Sequence, residues 1–437
     1  PEALYYGIRF LTERYRLPLY ITENGMSDLD NISADGQVHD RERITFLDAY
    51  LGAVQRAINE GMPVIGYFLW TFLDNFEWAE GYKERFGLVY VDYTTQRRIA
   101  KDSAYWYREV MRMNGENLSC NQPYKQILFM EPVFTHNIWG GTKLREEYGY
   151  SIEGDDIGEC WGIAAHPNGT CTIADGAYKG KKLSDLWEEH RELFGNTQGK
   201  VFPLLIKIID AKADLSIQVH PDDEYALENE NEYGKNEMWY VLDAEPGAYL
   251  YCGLSRASSK EEIEERIKNN TITEILNKIE VKKGDVVMVK AGTIHAIGAG
   301  IFICEIQQNS NCTYRMYDYD RRDKFGNPRE LHIAKSLDVV NPVKYEKDNK
   351  CNVMLAHNEH YMSKRLVQCK YFEVIKYEIE DEAKIPVDEA SFLSVIVIDG
   401  EGTIMTDDND KELKFKAGES FFINAGKRNV VVKGRST

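Results

Sequence analysis

The sequence predicts two fold classes in one chain: an α/β segment over residues 1–118, then a mainly β double jelly roll. Three observations carry this. Residues 1–118 alternate amphipathic helical patterns with short apolar strands, the signature of parallel α/β structure. From Leu128 onward, short strands and turns dominate, as they do in jelly rolls. Within that region a segment recurs: Gly284-Asp285 to Ala291-Gly292 resembles Gly418-Glu419 to Ala425-Gly426, in step throughout.

The elements follow in order. Glu2 to Tyr15 reads as a helix. Leu19 to Thr22 is a short strand ending in Glu23-Asn24-Gly25. Asp40 to Gly61 is an amphipathic helix, with Ile44, Leu47, Leu51, Val54 and Ile58 at helical spacing. Val64 to Thr71 is a second strand, and Ala100 to Met113 a closing helix. Asn114 to Tyr124 is polar with Gly and Pro and reads as a junction, which puts a linker at 119–127. The jelly-roll region divides into domains at 128–345 and 366–437. Leu183 to Phe194 is expected to be a surface helix, and Lys260 to Ile279 a charged helical insert with a solvated face. Lys370 to Thr437 reads as the second roll. At the repeat's spacing His295 falls on Asn429, and a looser match sets Glu237 opposite Leu393, so the second copy is expected to bind no metal. The chain ends soon after Val432, which leads one to expect fraying there. It opens on Pro1 rather than Met, as a chain with further residues upstream would.

Composition narrows the function. With 437 residues, 43% hydrophobic and 28% charged, the chain is an ordinary globular protein of two or three domains. Its formal charge of −18 argues against nucleic acid or anionic membrane as partners. An anionic substrate then needs a local basic pocket. The 8 cysteines form no CxxC pair, so no zinc-thiolate or redox motif is written. Scattered thiols fit a reducing cytoplasm. No apolar run reaches transmembrane length.

Chemistry concentrates between Phe202 and Val241. Gln218 and His220 are two apart in an apolar run, so on a strand they share a face. Glu237 opens a second run, with Lys235 two residues before it on the same side. His295 lies just past another strand, in KKGDVVMVKAGTIHAIG. Any one of these alone is more often a structural residue. Together, two His, one Glu and one Gln from separate strands suit a divalent metal such as zinc, with a position open for water or substrate.

The surrounding phrases add a resemblance. SIQVHPDD, GKNEMWYVL and GTIHAIG, with NIWGGTKLREEYGY, IGECWGIAAHPNG, FPLLIKIIDAK and EIQQNSNCTYRMYDYDRRDKFGNPRELH, resemble the type I phosphomannose isomerases. Those are zinc enzymes of the cupin superfamily, and the short bacterial form is nearest. The resemblance implies one Zn2+ held by His220, Glu237 and His295, with Gln218 a weaker fourth because amide oxygens are poor zinc ligands. It implies interconversion of mannose 6-phosphate and fructose 6-phosphate through an enediol. Arg315 matches the family's active-site arginine and is assigned to stabilising the enediolate. Lys207, Lys235 and Ser216 match pocket residues, the lysines supplying positive field for a sugar phosphate. Glu305 is a candidate proton carrier, as is water on the metal.

The N-terminal segment carries its own resemblance. LPLYITENG and YFLWTFLDNFEWAEGYKERFGLVYVDY resemble the last quarter of a family 1 β-glucosidase, a (β/α)8 TIM barrel. It implies Glu23 as the retaining nucleophile, Glu77 and Trp78 on sugar hydroxyls, and Trp70 and Phe86 shaping the pocket. Retaining hydrolysis needs a second carboxyl about 5 Å away. In the family it lies in a Thr-x-Asn-Glu-Pro motif, which this sequence lacks. Two strand–helix units cannot close a barrel, so the segment is expected to be inert. Two other readings stand beside the isomerase. A non-catalytic sugar-phosphate-binding cupin would have lost ligands or Arg315, and all are present. A working two-enzyme chain would need the absent acid.

Overall fold

The computed structural model describes residues 1–118, 126–322, 325–347, 352–407 and 409–437. The chain divides into two compact units, Pro1–Pro123 and Tyr124–Thr437. Most of the expected linker at 119–127 lies outside the described residues, and Ile127 already opens a strand. No helix among the described residues is long and apolar enough to cross a membrane.

The first unit follows its sequence pattern closely. Helices span Glu2–Tyr15, Arg41–Asn59 and Asp102–Arg112; strands span Leu19–Asn24 and Val64–Leu69. The Arg41–Asn59 helix buries Leu47, Val54 and Ala57 at helical spacing. It forms the crossover that parallel strands require, and the two strands pair in parallel with Ile21 opposite Tyr67. They make a two-stranded sheet only. Tyr20, Ile65 and Phe68 on it remain exposed, as do Tyr6 and Phe10 on the first helix. Polar burial is extensive. Arg43 bridges Asp30 and Asp40, Lys101 lies 2.5 Å from Asp30 and 2.9 Å from Asp74, and Arg85 lies 2.7 Å from Asp74.

The second unit is built from antiparallel sheets. A seven-stranded sheet runs Val286–Val289, Glu237–Ala244, Ile301–Gln308, Leu204–Ala211, Ile157–His166, Val133–Gly141, with Gly169–Thr170 paired beside Ile157–His166. A five-stranded sheet runs Leu276–Glu280, Tyr249–Leu254, His295–Ile297, Ile217–Val219, Tyr314–Tyr317. Trp239, Val287 and Ile303 of the first pack with Leu250, Cys252 and Ile297 of the second in one apolar cluster. That is a sandwich of two inner faces, and the polar residues of interest project from the same inner faces. Both faces of the larger sheet are covered. Its central strands therefore read as largely apolar runs, such as LLIKIIDA, instead of clean alternation.

A second roll follows. One four-stranded sheet is Glu382–Val387, Arg428–Lys433, Glu401–Thr406, Asn409–Lys416; the other is Leu393–Ile396, Ser420–Ile423, Ile127–Glu131, Thr172–Ile173. The strand Ile127–Glu131, early in this unit, thus completes the last roll. The repeat seen in sequence is a repeat of backbone. Gly284 and Gly418 have φ of +92° and +89°, each turning into a buried strand. Glu237 sits opposite Val289, and Leu393 opposite Ile423, at matching places in the two rolls.

Three local expectations are corrected. Leu183–Glu189 is a short helix followed by a 3-10 turn at Arg191–Phe194; it exposes Glu188, Glu189 and Glu192 but buries its apolar face. Leu183, Leu186, Trp187, Leu193 and Phe194 are all buried. The Lys260–Ile279 stretch is helical only over Lys260–Lys268, continues as a 3-10 turn at Ile272–Ile275, and then becomes the strand Leu276–Glu280. The Asn269-Asn270-Thr271 break stops the helix, with Asn270 at φ +57°, and Ile263 and Ile267 are buried on its inner side. The C-terminus is held: Ser436 and Ile379 exchange backbone hydrogen bonds, and Thr437 exchanges them with Asp399.

Phe194 is fully buried, with ring contacts to Trp187 at 4.9 Å, Phe392 at 5.6 Å and Phe422 at 4.9 Å. It joins the two rolls. Phe194→Ala is expected to cost about 3–5 kcal/mol, read as a lower midpoint in urea unfolding monitored by tryptophan fluorescence.

Candidate metal centre

Three buried side chains meet between the sheets. His220 follows the Ile217–Val219 strand directly, His295 opens its strand on the same sheet, and Glu237 opens a strand of the facing sheet. The ligand-capable atoms of all three lie within 4.8 Å of one another. The Nε2 atoms of His220 and His295 are 3.1 Å apart. Glu237 places Oε2 3.5 Å from His220 Nε2 and Oε1 3.3 Å from His295 Nε2.

The tautomers follow from the outer partners. His220 Nδ1 donates to the carbonyl of Cys312 at 2.9 Å, and His295 Nδ1 to that of Thr293 at 2.8 Å. Carbonyls only accept, so the proton sits on each Nδ1 and each Nε2 offers a lone pair. Burial is the main reason both imidazoles stay neutral. It holds His295 down to about 4, with Lys235 adding to it, and holds His220 well below its ordinary value. The arrangement is therefore two lone pairs and a carboxylate aimed at one point. Neither Glu237 oxygen accepts a hydrogen bond. Lys235 Nζ lies 2.8 Å from Oε2 as an ion pair. Buried acceptors without donors are costly. A cation at their common point satisfies all of them, and the donor set of two imidazoles and one carboxylate suits zinc.

Gln218 is close, and its amide Nε2 is 3.4 Å from His295 Nε2. An amide nitrogen donates and does not coordinate; rotating the amide by half a turn would present its oxygen instead. Gln218 also stands in register between His295 and Arg315 on the five-stranded sheet. Those three residues thus lie side by side across three strands. The Arg315 guanidinium donates from Nη1 to the Glu330 carbonyl at 2.8 Å, while its Nε is buried without a partner. Ser216 is buried one residue before the Ile217–Val219 strand.

The facing sheet carries a row of alternating charges. Lys207, Glu305 and Trp239 stand opposite one another on three adjacent strands, and Lys207 is also opposite Trp161. Lys207 Nζ lies 3.4 Å from Glu159 and 3.7 Å from Glu305, and Lys235 Nζ lies 3.8 Å from Glu305. The Trp239 indole donates to Glu305 Oε2 at 2.9 Å. Burial, reinforced by Glu237, pushes the Glu305 carboxyl up despite the two lysines. Burial also pushes Glu159 up, but Lys207, the Trp161 indole and Lys235 outweigh it and hold that carboxyl low. Glu159 was not singled out from sequence. It sits inside IGECWG, where one acidic residue in an apolar strand gives no sign of which face it takes.

The glycosidase residues belong to the other unit. Glu23 is exposed near the end of its strand and Trp78 is 84% exposed, while Glu77, Trp70 and Phe86 are half-buried.

Comparison with known proteins decides the family. The profile for "Phosphomannose isomerase type I, catalytic domain" matches residues 127–247, and that for "Mannose-6-phosphate isomerase, cupin domain" matches residues 362–437. A putative mannose-6-phosphate isomerase of Bacillus subtilis is 44% identical over 311 residues, covering 71% of this chain and 96% of the relative. This chain belongs to the type I mannose-6-phosphate isomerase family. The crystal structure of the mannose 6-phosphate isomerase from Bacillus subtilis superposes with a TM-score of 0.68 at 43% identity, covering 71% of this chain and 98% of that one. The isomerase homology thus accounts for the second unit and its mainly β fold.

The first unit matches a different family. The profile "Glycosyl hydrolase family 1" covers residues 1–116. Beta-glucosidase A of Thermotoga maritima is 55% identical over 116 residues. The chain spans only 26% of that glucosidase.

His295→Ala removes one of the three converging donors. Its affinity for zinc is expected to fall by more than the ~10–100-fold typical of losing an outer partner. Metal analysis of the dialysed protein against wild type checks this.

Proposed function

We propose that this chain is a zinc-dependent mannose-6-phosphate isomerase, interconverting D-mannose 6-phosphate and D-fructose 6-phosphate through an enediol in the cytoplasm. The observation that carries this reading is the His220, Glu237 and His295 cluster, set beside buried lysines and Arg315 in a member of this isomerase family. The catalytic domain spans 128–345. The domain at 366–437 is a metal-free roll that packs against it.

Aldose–ketose interconversion moves a proton between neighbouring carbons and builds negative charge on oxygen. A divalent cation held by His220, Glu237 and His295, with Gln218 beside them, supplies Lewis acidity for that charge. The remaining steps fall to this chain's own groups. Lys207 and Lys235 draw the anionic sugar phosphate into a protein that is acidic overall. Ser216 lines the same pocket. Arg315 stays protonated in any accessible pH range and offers a planar cation to the developing enediolate. Glu305 is the proton carrier: its raised pKa brings its two protonation states closer to neutral pH, where transfer in both directions is efficient.

Residues 1–118 are the last two strand–helix units of a family 1 TIM barrel, with Glu23 in the place of the nucleophile. Two parallel strands leave the sheet open and the apolar faces of Tyr20 and Phe68 bare. Residues 1–118 do not themselves contain the family's second-carboxyl motif that would protonate a leaving oxygen.

Turnover of mannose 6-phosphate in a coupled assay is expected for the purified chain. Chelation should abolish it and zinc should restore it; full activity after exhaustive chelation would refute the metal assignment. In the same preparation no nitrophenol should be released from an aryl β-glucoside, and measurable release would refute the inert reading of Glu23.

A further inference from the structure

The mechanism above leaves the half-buried Glu159 carboxylate without a task. Glu159 lies at the far end of the row from the metal centre. Counted outward, the row reads Glu237, Lys235, Glu305, Lys207, Glu159, with successive separations of 2.8, 3.8, 3.7 and 3.4 Å. Carboxylates and ammonium groups alternate without a break across the sheet.

Glu159 is itself tethered. Its Oε2 accepts from the Trp161 indole at 2.7 Å and from the Thr135 hydroxyl at 3.3 Å, which leaves Oε1 for Lys207 at 3.4 Å. The Lys207 ammonium also rests 5.1 Å from the centre of the Trp161 ring. An ammonium has three N–H donors. Glu159 accepts one, Glu305 attracts a second, and a third remains for an incoming anion. Lys207 is buried, so no solvent shell holds its flexible stem in place.

We propose that Glu159 is a positioning residue that fixes Lys207 so that its free N–H meets an anionic oxygen of the bound sugar phosphate. Without Glu159 the ammonium collapses onto Glu305, its one remaining carboxylate neighbour. It then withdraws from the substrate. This rests on the isomerase reading of the site, and it adds a residue that touches neither substrate nor metal.

The test is a double-mutant cycle on the full, zinc-loaded chain. Glu159→Gln keeps the size and an acceptor for the Trp161 indole, but sets a neutral amide against the ammonium. It is expected to raise KM for mannose 6-phosphate about tenfold while kcat stays within about threefold. On a Lys207→Met background the same change should add less than about twofold, because the group it positions is gone. Glu159→Asp, which draws the carboxylate back by one methylene, should give an intermediate KM and serves if the Gln variant does not fold. Multiplicative effects in the cycle would overturn the proposal. So would an unchanged KM in the Glu159 variants, or equal losses of kcat and thermal midpoint with KM constant. An unchanged KM in Lys207→Met would overturn it too, while wild-type turnover would leave the isomerase reading standing.

Discussion

A buried carboxylate without a hydrogen-bond donor, facing two imidazole lone pairs, is the constraint around which the second unit is arranged. Glu237 and the two Nε2 atoms are all acceptors, held within a few ångströms in a region closed to water. Their outer partners permit no other tautomer, since both Nδ1 atoms are committed to carbonyls. A cation at their common point would satisfy all three acceptors. The same demand explains the row of charges beside it. Three carboxylates and two ammonium groups sum to one negative charge; a divalent cation reverses the sign, and Arg315 adds to it. With such a cation held there, the pocket would attract an anionic ligand within a protein whose formal charge is −18.

The second roll shows the same backbone freed from that demand. Leu393 occupies the place of Glu237 and pairs with Ile423 as Glu237 pairs with Val289. Asn429, at the place of His295, donates to Asp407 near the surface. With the polar demand gone, the interior fills with Phe415, Phe421, Ile404 and Val430. Its sheet is completed by Ile127–Glu131, and its aromatic residues Phe392 and Phe422 close around Phe194. The two rolls therefore share a core and a strand, which is consistent with residues 124–437 behaving as one compact unit.

The first unit presents the opposite balance. Its buried charges are paired: Arg43, Lys101 and Arg85 each meet a buried aspartate. Its apolar surface is not covered, since aromatic side chains on the two strands and the first helix face outward. Buried ion pairs fix local geometry but are weak contributors to net stability. An uncovered parallel sheet edge is an association hazard. Within residues 1–118 the unit pairs its buried charges while leaving these apolar faces exposed.

By itself the sequence singled out the residues proposed to carry the chemistry and the strands that bear them. Period-two placement put Gln218 with His220 and Lys235 with Glu237, and the repeat exposed both rolls and the loss of ligands from the second. Those signals are local, and local pattern survives in one dimension. What only the tertiary structure decided was how distant strands align. Glu159, Lys207 and Glu305 are separated widely in sequence and become neighbours through the register of three strands. The exchange of Ile127–Glu131 into the last roll is likewise invisible to periodicity. So is the depth to which Leu186, Trp187 and Phe194 are buried, because a helical pattern gives the width of an apolar face but not what covers it. Pairing between strands far apart in the chain is set by the summed packing of whole faces, and no short window of residues contains that sum.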